Sequence, residues 1–237
     1  MFMFGLWIDP LYLVLFIVTL VISGAAQLYI RSTFGKWSGV RNSSGLAGVQ
    51  VGEKLVREVE FGGSRGIATG ISFKVVPGDL SDHFDPRSKE VGLSQEVASR
   101  DSVAAMAVTA HEVGHAQQDA EGTVAMRARA FLVPAVTFSP TVSYLLIFVG
   151  LILNLTGLFW LGIIVFGLMV LFSILTLPVE IGASRRALVM LRDTGMLSSR
   201  EDEAGVKRVL TAAAMTYVAA AVTSILTLLY YLSIARR

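Results

Sequence analysis

The pentapeptide His111-Glu-Val-Gly-His115 contains the residues of this chain that are best suited to chemistry. Side chains four positions apart on a helix lie on the same face, so the two imidazoles could hold one Zn²⁺ ion. Glu112 faces the same ion without binding it and is placed to take a proton from a zinc-bound water. Gly114 leaves room for a neighbouring backbone or a substrate. The pattern indicates metal-assisted hydrolysis with one zinc ion per chain.

The residues before the pentapeptide predict the helix that this arrangement requires. Residues 102–110 contain no proline and are rich in helix formers, and Asp101 or Ser102 can cap the start. The alternative is a buried helix with two satisfied histidines. It is disfavoured because an almost wholly apolar helix rarely buries a glutamate and two histidines without a partner.

A catalytic zinc site takes three protein ligands, and the sequence leaves several candidates for the third. The chain has only three histidines, so this ligand is His83 or a carboxylate. Glu180 follows a long apolar run, where it could bind the metal or pair with Arg185 or Arg186. His83 could instead bind substrate or stabilise an oxyanion. The other acidic candidates are Asp119, Glu121, Glu201 and Glu203.

The composition predicts a polytopic membrane protein. The 237 residues are 54% hydrophobic with a mean hydropathy of +0.64, which is too apolar for a soluble globular domain. Residues 11–30 are free of charge and long enough for one span, and residues 130–179 for two, with a break near 154–157. A weaker run at 209–235 supplies a fourth. A cleaved signal peptide is the alternative for the first run, and an amphipathic or buried helix for the fourth.

These runs predict five segments along the chain. They are an N-terminal transmembrane helix (1–30), a soluble metallopeptidase segment with the HEVGH helix (31–129), a transmembrane hairpin (130–179), a soluble helical segment containing Glu180 (180–208) and a C-terminal transmembrane helix (209–237). The expected fold class is therefore mainly α, a polytopic membrane protein with four transmembrane helices and a small α+β domain.

Local patterns predict the elements of the segment at 31–129. Residues 31–40 have the composition of a linker, and Ser43 or Ser44 can cap a short amphipathic helix after it. Apolar residues alternate along 71–75, which predicts a strand. Residues 80–93 could hold a second short strand, interrupted by Asp85-Pro86.

Charge placement predicts the topology and the class of partner. Of the 20 Lys and Arg residues, 12 lie in 31–129 and six in 180–208, so the positive-inside rule places both segments in the cytoplasm. Arg236 and Arg237 lie on the other side. The net charge of +2 suits the anionic headgroups of a lipid bilayer. The chain lacks the basic runs with interleaved aromatic residues that are typical of nucleic-acid binding, so no nucleic-acid partner is expected. The absence of cysteine excludes disulfides and a Cys zinc site.

Four groups of residues, in this order, resemble one bacterial family. They are Ser44-Gly-Leu-Ala-Gly48, Leu80-Ser-Asp-His-Phe-Asp-Pro-Arg87 with Leu93-Ser94, Ala110-His-Glu-Val-Gly-His-Ala-Gln117 and Leu177-Pro-Val-Glu-Ile-Gly-Ala-Ser-Arg-Arg-Ala187. Over most of its length the chain resembles the YugP-type membrane zinc metallopeptidases. The resemblance implies a multi-pass protein of the bacterial cell membrane, with a zincin-like domain at the membrane surface. Its substrate would be a protein or peptide, including membrane proteins.

The resemblance also implies roles for single residues. Gluzincins take a third-ligand glutamate from a later helix, a place that Glu180 holds here. Many carry an Asp four residues further on that orients a ligand histidine. Ser184 stands at that position and orients imidazole more weakly, so Asp119 or a backbone carbonyl could take the role.

These observations together predict a zinc endopeptidase in which Glu112 is the general base and the substrate lies extended along the strand near 71–76. A non-catalytic, zinc-stabilised membrane scaffold or partner-binding protein is the alternative, but it would have no use for Glu112. A transporter is a weaker one, since its pathway would need ionisable residues within the spans.

Overall fold

The computed structural model describes residues 9–236, and four long helices make up most of them. These are α1 (Pro10–Ser38), α5 (Val124–Ile152), α6 (Thr156–Asp193) and α7 (Arg200–Ala235). Each is long and apolar enough to cross a membrane, which agrees with the four predicted spans. Between α5 and α6, Asn154 has a φ of +54°, so the break falls where the sequence predicts it. Residues 1–8 and 237 of the predicted end segments lie outside the described residues.

The shorter elements lie between α1 and α5. They are α2 (Gly48–Glu58), β1 (Ser72–Val76), β2 (His83–Asp85), β3 (Glu90–Ser94), α3 (Gln95–Ser99) and α4 (Val103–Ala120). The described chain forms two compact units. We call residues 9–27, 131–174 and 216–236 the apolar unit, and residues 28–130 and 175–215 the site unit.

The apolar unit packs its helices through small residues. A Cβ atom on Gly150 would lie 2.6 Å from the backbone nitrogen of Phe159, and one on Gly162 would lie 2.8 Å from that of Ile147. The two glycines therefore let α5 and α6 approach closely, as in other membrane helix pairs. Large apolar side chains such as Phe148 point outward, which suits a lipid environment better than water.

Helix α4 runs through the core of the site unit. Met106, Ala110 and Val113 on α4 are fully buried. They belong to a cluster with side chains from α2, α6 and α7: Val51, Leu55, Met190, Leu191, Val206 and Leu210. Because this packing surrounds α4, the helix can hold its polar residues in a fixed orientation.

A three-stranded sheet lies beside α4 in the order β1-β3-β2. The central strand β3 pairs in parallel with β1 and antiparallel with β2. Val91 and Leu93 of β3 are fully buried against Val97 and Ala105. Strand β1 confirms the strand predicted from the alternation at 71–75, and it is an edge strand of this sheet.

The structure corrects three local predictions. Residues 31–40 are not a linker, because α1 continues to Ser38 and buries Trp37. Helix α2 starts after Ala47, whose backbone N–H donates to the Gln50 side chain, whereas the Ser43 hydroxyl donates to Asp202. Residues 80–93 form two strands instead of one interrupted strand.

A hydrogen bond at Asp85 explains the two strands. Its carboxylate accepts the backbone N–H of Arg87 at 2.9 Å, a local turn that reverses the chain. Strands β2 and β3 can therefore pair as an antiparallel hairpin around it.

Candidate metal centre

Helix α4 carries the HEVGH pentapeptide, and its start is fixed as the sequence predicts. Ser102 is the cap residue, and its side chain accepts the backbone N–H of Ala105 at 3.1 Å. The helix then continues without interruption for 18 residues, about five turns. A Cβ atom on Gly114 would lie 2.6 Å from the backbone oxygen of Ala183, so the glycine lets α4 approach the backbone of α6. This close approach brings Glu180 and Ser184 of α6 to the histidines of α4.

Three buried side chains bring their donor atoms together where α4 meets α6. The Nε2 atoms of His111 and His115 lie 3.1 and 3.4 Å from Oε2 of Glu180. Donor atoms of all three residues lie within 4.8 Å of one another, a group that could hold a metal ion. Glu180 is only 2% exposed, and a buried carboxylate is costly unless positive charge compensates it. Two imidazoles and a carboxylate are a ligand set that catalytic zinc takes, so the residues fit the ion.

The two histidines are oriented by different side chains. Ser184 Oγ lies 3.2 Å from Nδ1 of His111. For His115, Nδ1 lies 3.0 Å from Oε1 of Gln118, whose Nε2 atom donates to the backbone oxygen of Val179 at 2.8 Å. The carbonyl only accepts, so the amide orientation is fixed and its oxygen accepts the Nδ1 proton of His115. In the neutral ring, Nε2 of His115 is then free to bind a cation.

Gln118 is a site residue that the sequence analysis missed. It lies three positions after His115, on the same face of α4, and is buried. A glutamine three positions after a candidate ligand, on the same helix face, is the sequence signal that could have identified it. Asp119, the predicted alternative, lies elsewhere: its carboxylate accepts from Lys89.

Replacement of Gln118 by leucine is expected to weaken zinc binding by about 10- to 100-fold, because His115 loses the acceptor that fixes its ring. Ser184→Ala should have a smaller effect, since the Ser184 hydroxyl makes one contact and Gln118 links His115 to Val179. Competition with a chromophoric chelator would measure both. An unchanged zinc affinity in Gln118→Leu would show that this contact does not tune the site.

Glu112 is buried next to the three donors but is not one of them. Burial raises the pKa of the Glu112 carboxyl to about 7, with the charge of His111 acting against the shift and those of Glu180 and Asp82 adding to it. Any cation held by the neighbouring trio would lower this pKa. A carboxyl group that titrates near neutral pH can both accept and return a proton.

His83 lies on β2 and is not part of the metal group. Its Nδ1 atom donates to the backbone oxygen of Ser81 at 2.9 Å, which leaves Nε2 free in the neutral ring. The ring lies over Gly92 of β3, where a Cβ atom would be 2.7 Å from the imidazole.

The other acidic candidates are paired or exposed at the surface. Glu121 accepts two hydrogen bonds from Arg186, so this arginine does not pair with Glu180. Glu203 pairs with Arg192 and Lys207. Glu201 is exposed. Among the carboxylates considered from the sequence, Glu180 is the one that the described structure brings to the histidines.

Comparisons with known proteins relate the chain to one family. Residues 12–236 match the model of a family described as "Putative neutral zinc metallopeptidase". The chain is 38% identical over 224 residues to the "Putative membrane protease YugP" of Bacillus subtilis (strain 168), covering 94% of this chain and 96% of that protein. No solved structure matches the chain.

Proposed function

This chain belongs to the family of putative neutral zinc metallopeptidases, and on that premise we propose that it is a membrane-embedded zinc endopeptidase, a hydrolase of protein or peptide substrates. One observation carries the proposal: the His111, His115 and Glu180 donors converge next to a buried Glu112 that is not among them. A purely structural zinc site would need the ligands but not the additional carboxylate.

The residues present suit the hydrolysis of a peptide bond. His111, His115 and Glu180 would hold a zinc ion in the manner of a gluzincin. A bound zinc ion would supply Lewis-acid chemistry, lowering the pKa of water and polarising a carbonyl group. Glu112 would accept the proton of the attacking water and pass it to the leaving amine nitrogen. Burial favours the protonated form of this carboxyl, which suits a group that must hold the proton between the two steps.

The substrate would lie extended along β1, the edge strand of the sheet. An edge strand offers unpaired backbone groups, which can hydrogen-bond the main chain of a peptide of any sequence. His83 would serve substrate binding or oxyanion stabilisation, because its free Nε2 can donate when protonated. This role needs no direct bond to the metal.

We place the site in the cytoplasm, at the surface of the bacterial cell membrane. Residues 31–129 and 180–208 carry 18 of the 20 Lys and Arg residues, and such loops stay on the cytoplasmic side. Four apolar helices make the chain a membrane protein. Glu180 directly follows the charge-free run of α6, which supports a zincin-like domain close to the bilayer. A membrane-protein substrate would suit this location.

Zinc-dependent proteolysis is the expected result for detergent-purified protein. Fluorescein-labelled casein should be cleaved, 1,10-phenanthroline should stop the cleavage, and added zinc should restore it, because a bound zinc ion would supply the Lewis-acid chemistry that hydrolysis needs. Release of labelled peptides measures this. Cleavage that survives complete metal removal would overturn the proposal, and zinc binding without cleavage of any protein substrate would favour a non-catalytic scaffold.

A further inference from the structure

Arg129 on α5 lies beside the carboxylate of Glu180. Its Nη2 atom is 3.9 Å from Oε1 of Glu180, whereas both histidines approach Oε2. At that distance the contact is an ion pair and is too long for a hydrogen bond. The guanidinium thus reaches the edge of the candidate metal centre without joining its donor set.

The Nε donor of Arg129 is buried and has no hydrogen-bond partner among the residues that the structure describes. A buried unpaired donor destabilises a protein, so few persist without a reason. Two nearby arginines show the usual situation. Arg127 donates its Nε to the backbone oxygen of Gly122 at 2.7 Å, and Arg186 donates to both oxygens of Glu121. Arg129 differs from both, because its guanidinium has only the long ion pair to Glu180, and the part of the side chain that is exposed remains available for a ligand.

The position of Arg129 limits the kind of ligand. Its side chain is 30% exposed, so a molecule that enters the site can reach it. A guanidinium only donates hydrogen bonds, so its partner must be an oxygen with negative charge or partial negative charge. Every peptide brings main-chain carbonyl oxygens to a site that binds it. Arginine holds such an acceptor in a fixed direction because its planar donor group is rigid.

We propose that Arg129 is a substrate-binding residue that donates hydrogen bonds to a main-chain carbonyl oxygen of the peptide held beside the metal centre. This inference rests on the proposed function. The ion pair with Glu180 keeps the guanidinium in place, and the exposed part of the guanidinium then meets the substrate. The residue would help to position the scissile bond in front of Glu112.

Binding of two hydroxamates to zinc-loaded protein tests the inference without turnover. Acetohydroxamate engages the metal alone, whereas a succinyl-type peptide hydroxamate with an amidated C terminus also presents main-chain carbonyls. In calorimetry, Arg129→Met should lower the affinity for the peptide hydroxamate by about tenfold or more. It should change acetohydroxamate binding by less than about twofold and leave the zinc content unchanged. Arg129→Lys should fall between wild type and Arg129→Met.

Arg185→Met is the matched control, because it removes an arginine that is exposed on α6, and it should bind both probes as wild type does. Equal weakening of both probes by Arg129→Met, with loss of zinc, would mean that Arg129 acts only through Glu180 and would overturn the inference. No effect on either probe would also overturn it. A loss seen only with a free C-terminal carboxylate on the peptide hydroxamate would assign Arg129 to that carboxylate instead. A wild-type protein that holds no zinc would reject the proposed function itself.

Discussion

Glu112→Gln is expected to reduce peptide hydrolysis by at least about 100-fold, and by as much as about 10⁴-fold, while the protein keeps its zinc. Glutamine has nearly the shape of glutamate and can still donate and accept hydrogen bonds, but it cannot take a proton from water at neutral pH. Glu112 is not one of the three grouped donors, so the affinity for zinc should change little. Loss of activity with retention of metal separates a general base from a ligand.

Glu58→Gln is the matched control for this experiment, because Glu58 is an exposed residue on α2 and the same chemical change there should leave hydrolysis unchanged. Zinc content by mass spectrometry and cleavage of labelled casein would be measured on the same preparations. If Glu112→Gln cleaved casein at the wild-type rate, the assignment of Glu112 as the base would be wrong.

We expect wild-type protein to hold about one zinc ion per chain, and Glu180→Ala should remove it. A contact that only orients a ligand contributes about 10- to 100-fold to zinc affinity, so the loss of a direct ligand should exceed about 100-fold. His111→Ala should give the same result, because its Nε2 atom meets the same carboxylate oxygen. Zinc content after dialysis, followed by chelator competition, would measure both variants.

Glu121→Ala and Glu201→Ala are the controls for Glu180, since both residues are acidic candidates that the structure places at the surface. Both should keep one zinc ion per chain. Retention of zinc in Glu180→Ala, with loss in His83→Ala, would instead make His83 the third ligand.

Local sequence patterns predicted the parts of this protein that depend on neighbouring residues. The HEVGH helix, a cap at Asp101 or Ser102, the strand β1 and the four apolar helices follow from spacing and hydropathy, and of the two cap candidates the structure uses Ser102. Hydropathy gave a wrong prediction for residues 31–40, which were interpreted as a linker although α1 continues to Ser38. The polar last turns of a helix have the same composition as a linker, so hydropathy cannot separate the two. The start of α2 was missed because Ala47 offers no side-chain acceptor and Gln50 supplies one from within the helix.

Contacts between distant residues explain most of what the sequence could not give. Glu180 was one of several candidates because it directly follows an apolar run, and the family resemblance singled it out. Ser184 was identified through the resemblance alone, since nothing local relates either residue to a histidine about 70 positions away. Gln118 was missed because its role in orienting His115 depends on a hydrogen bond to Val179, 61 positions further along the chain. Arg129 gave no signal either, because an arginine near the start of an apolar helix is ordinarily explained by the membrane interface.

The separation between Glu180 and the histidines has a consequence for biosynthesis. His111 and Glu180 are 69 positions apart, and the charge-free residues 130–179 lie between them. A ribosome that has made the HEVGH helix has therefore made only two of the three donors. The third follows after two more hydrophobic segments have been delivered to the insertion machinery. An incomplete or wrongly inserted chain would thus remain inert, and hydrolytic activity would appear only in a molecule whose membrane integration had succeeded.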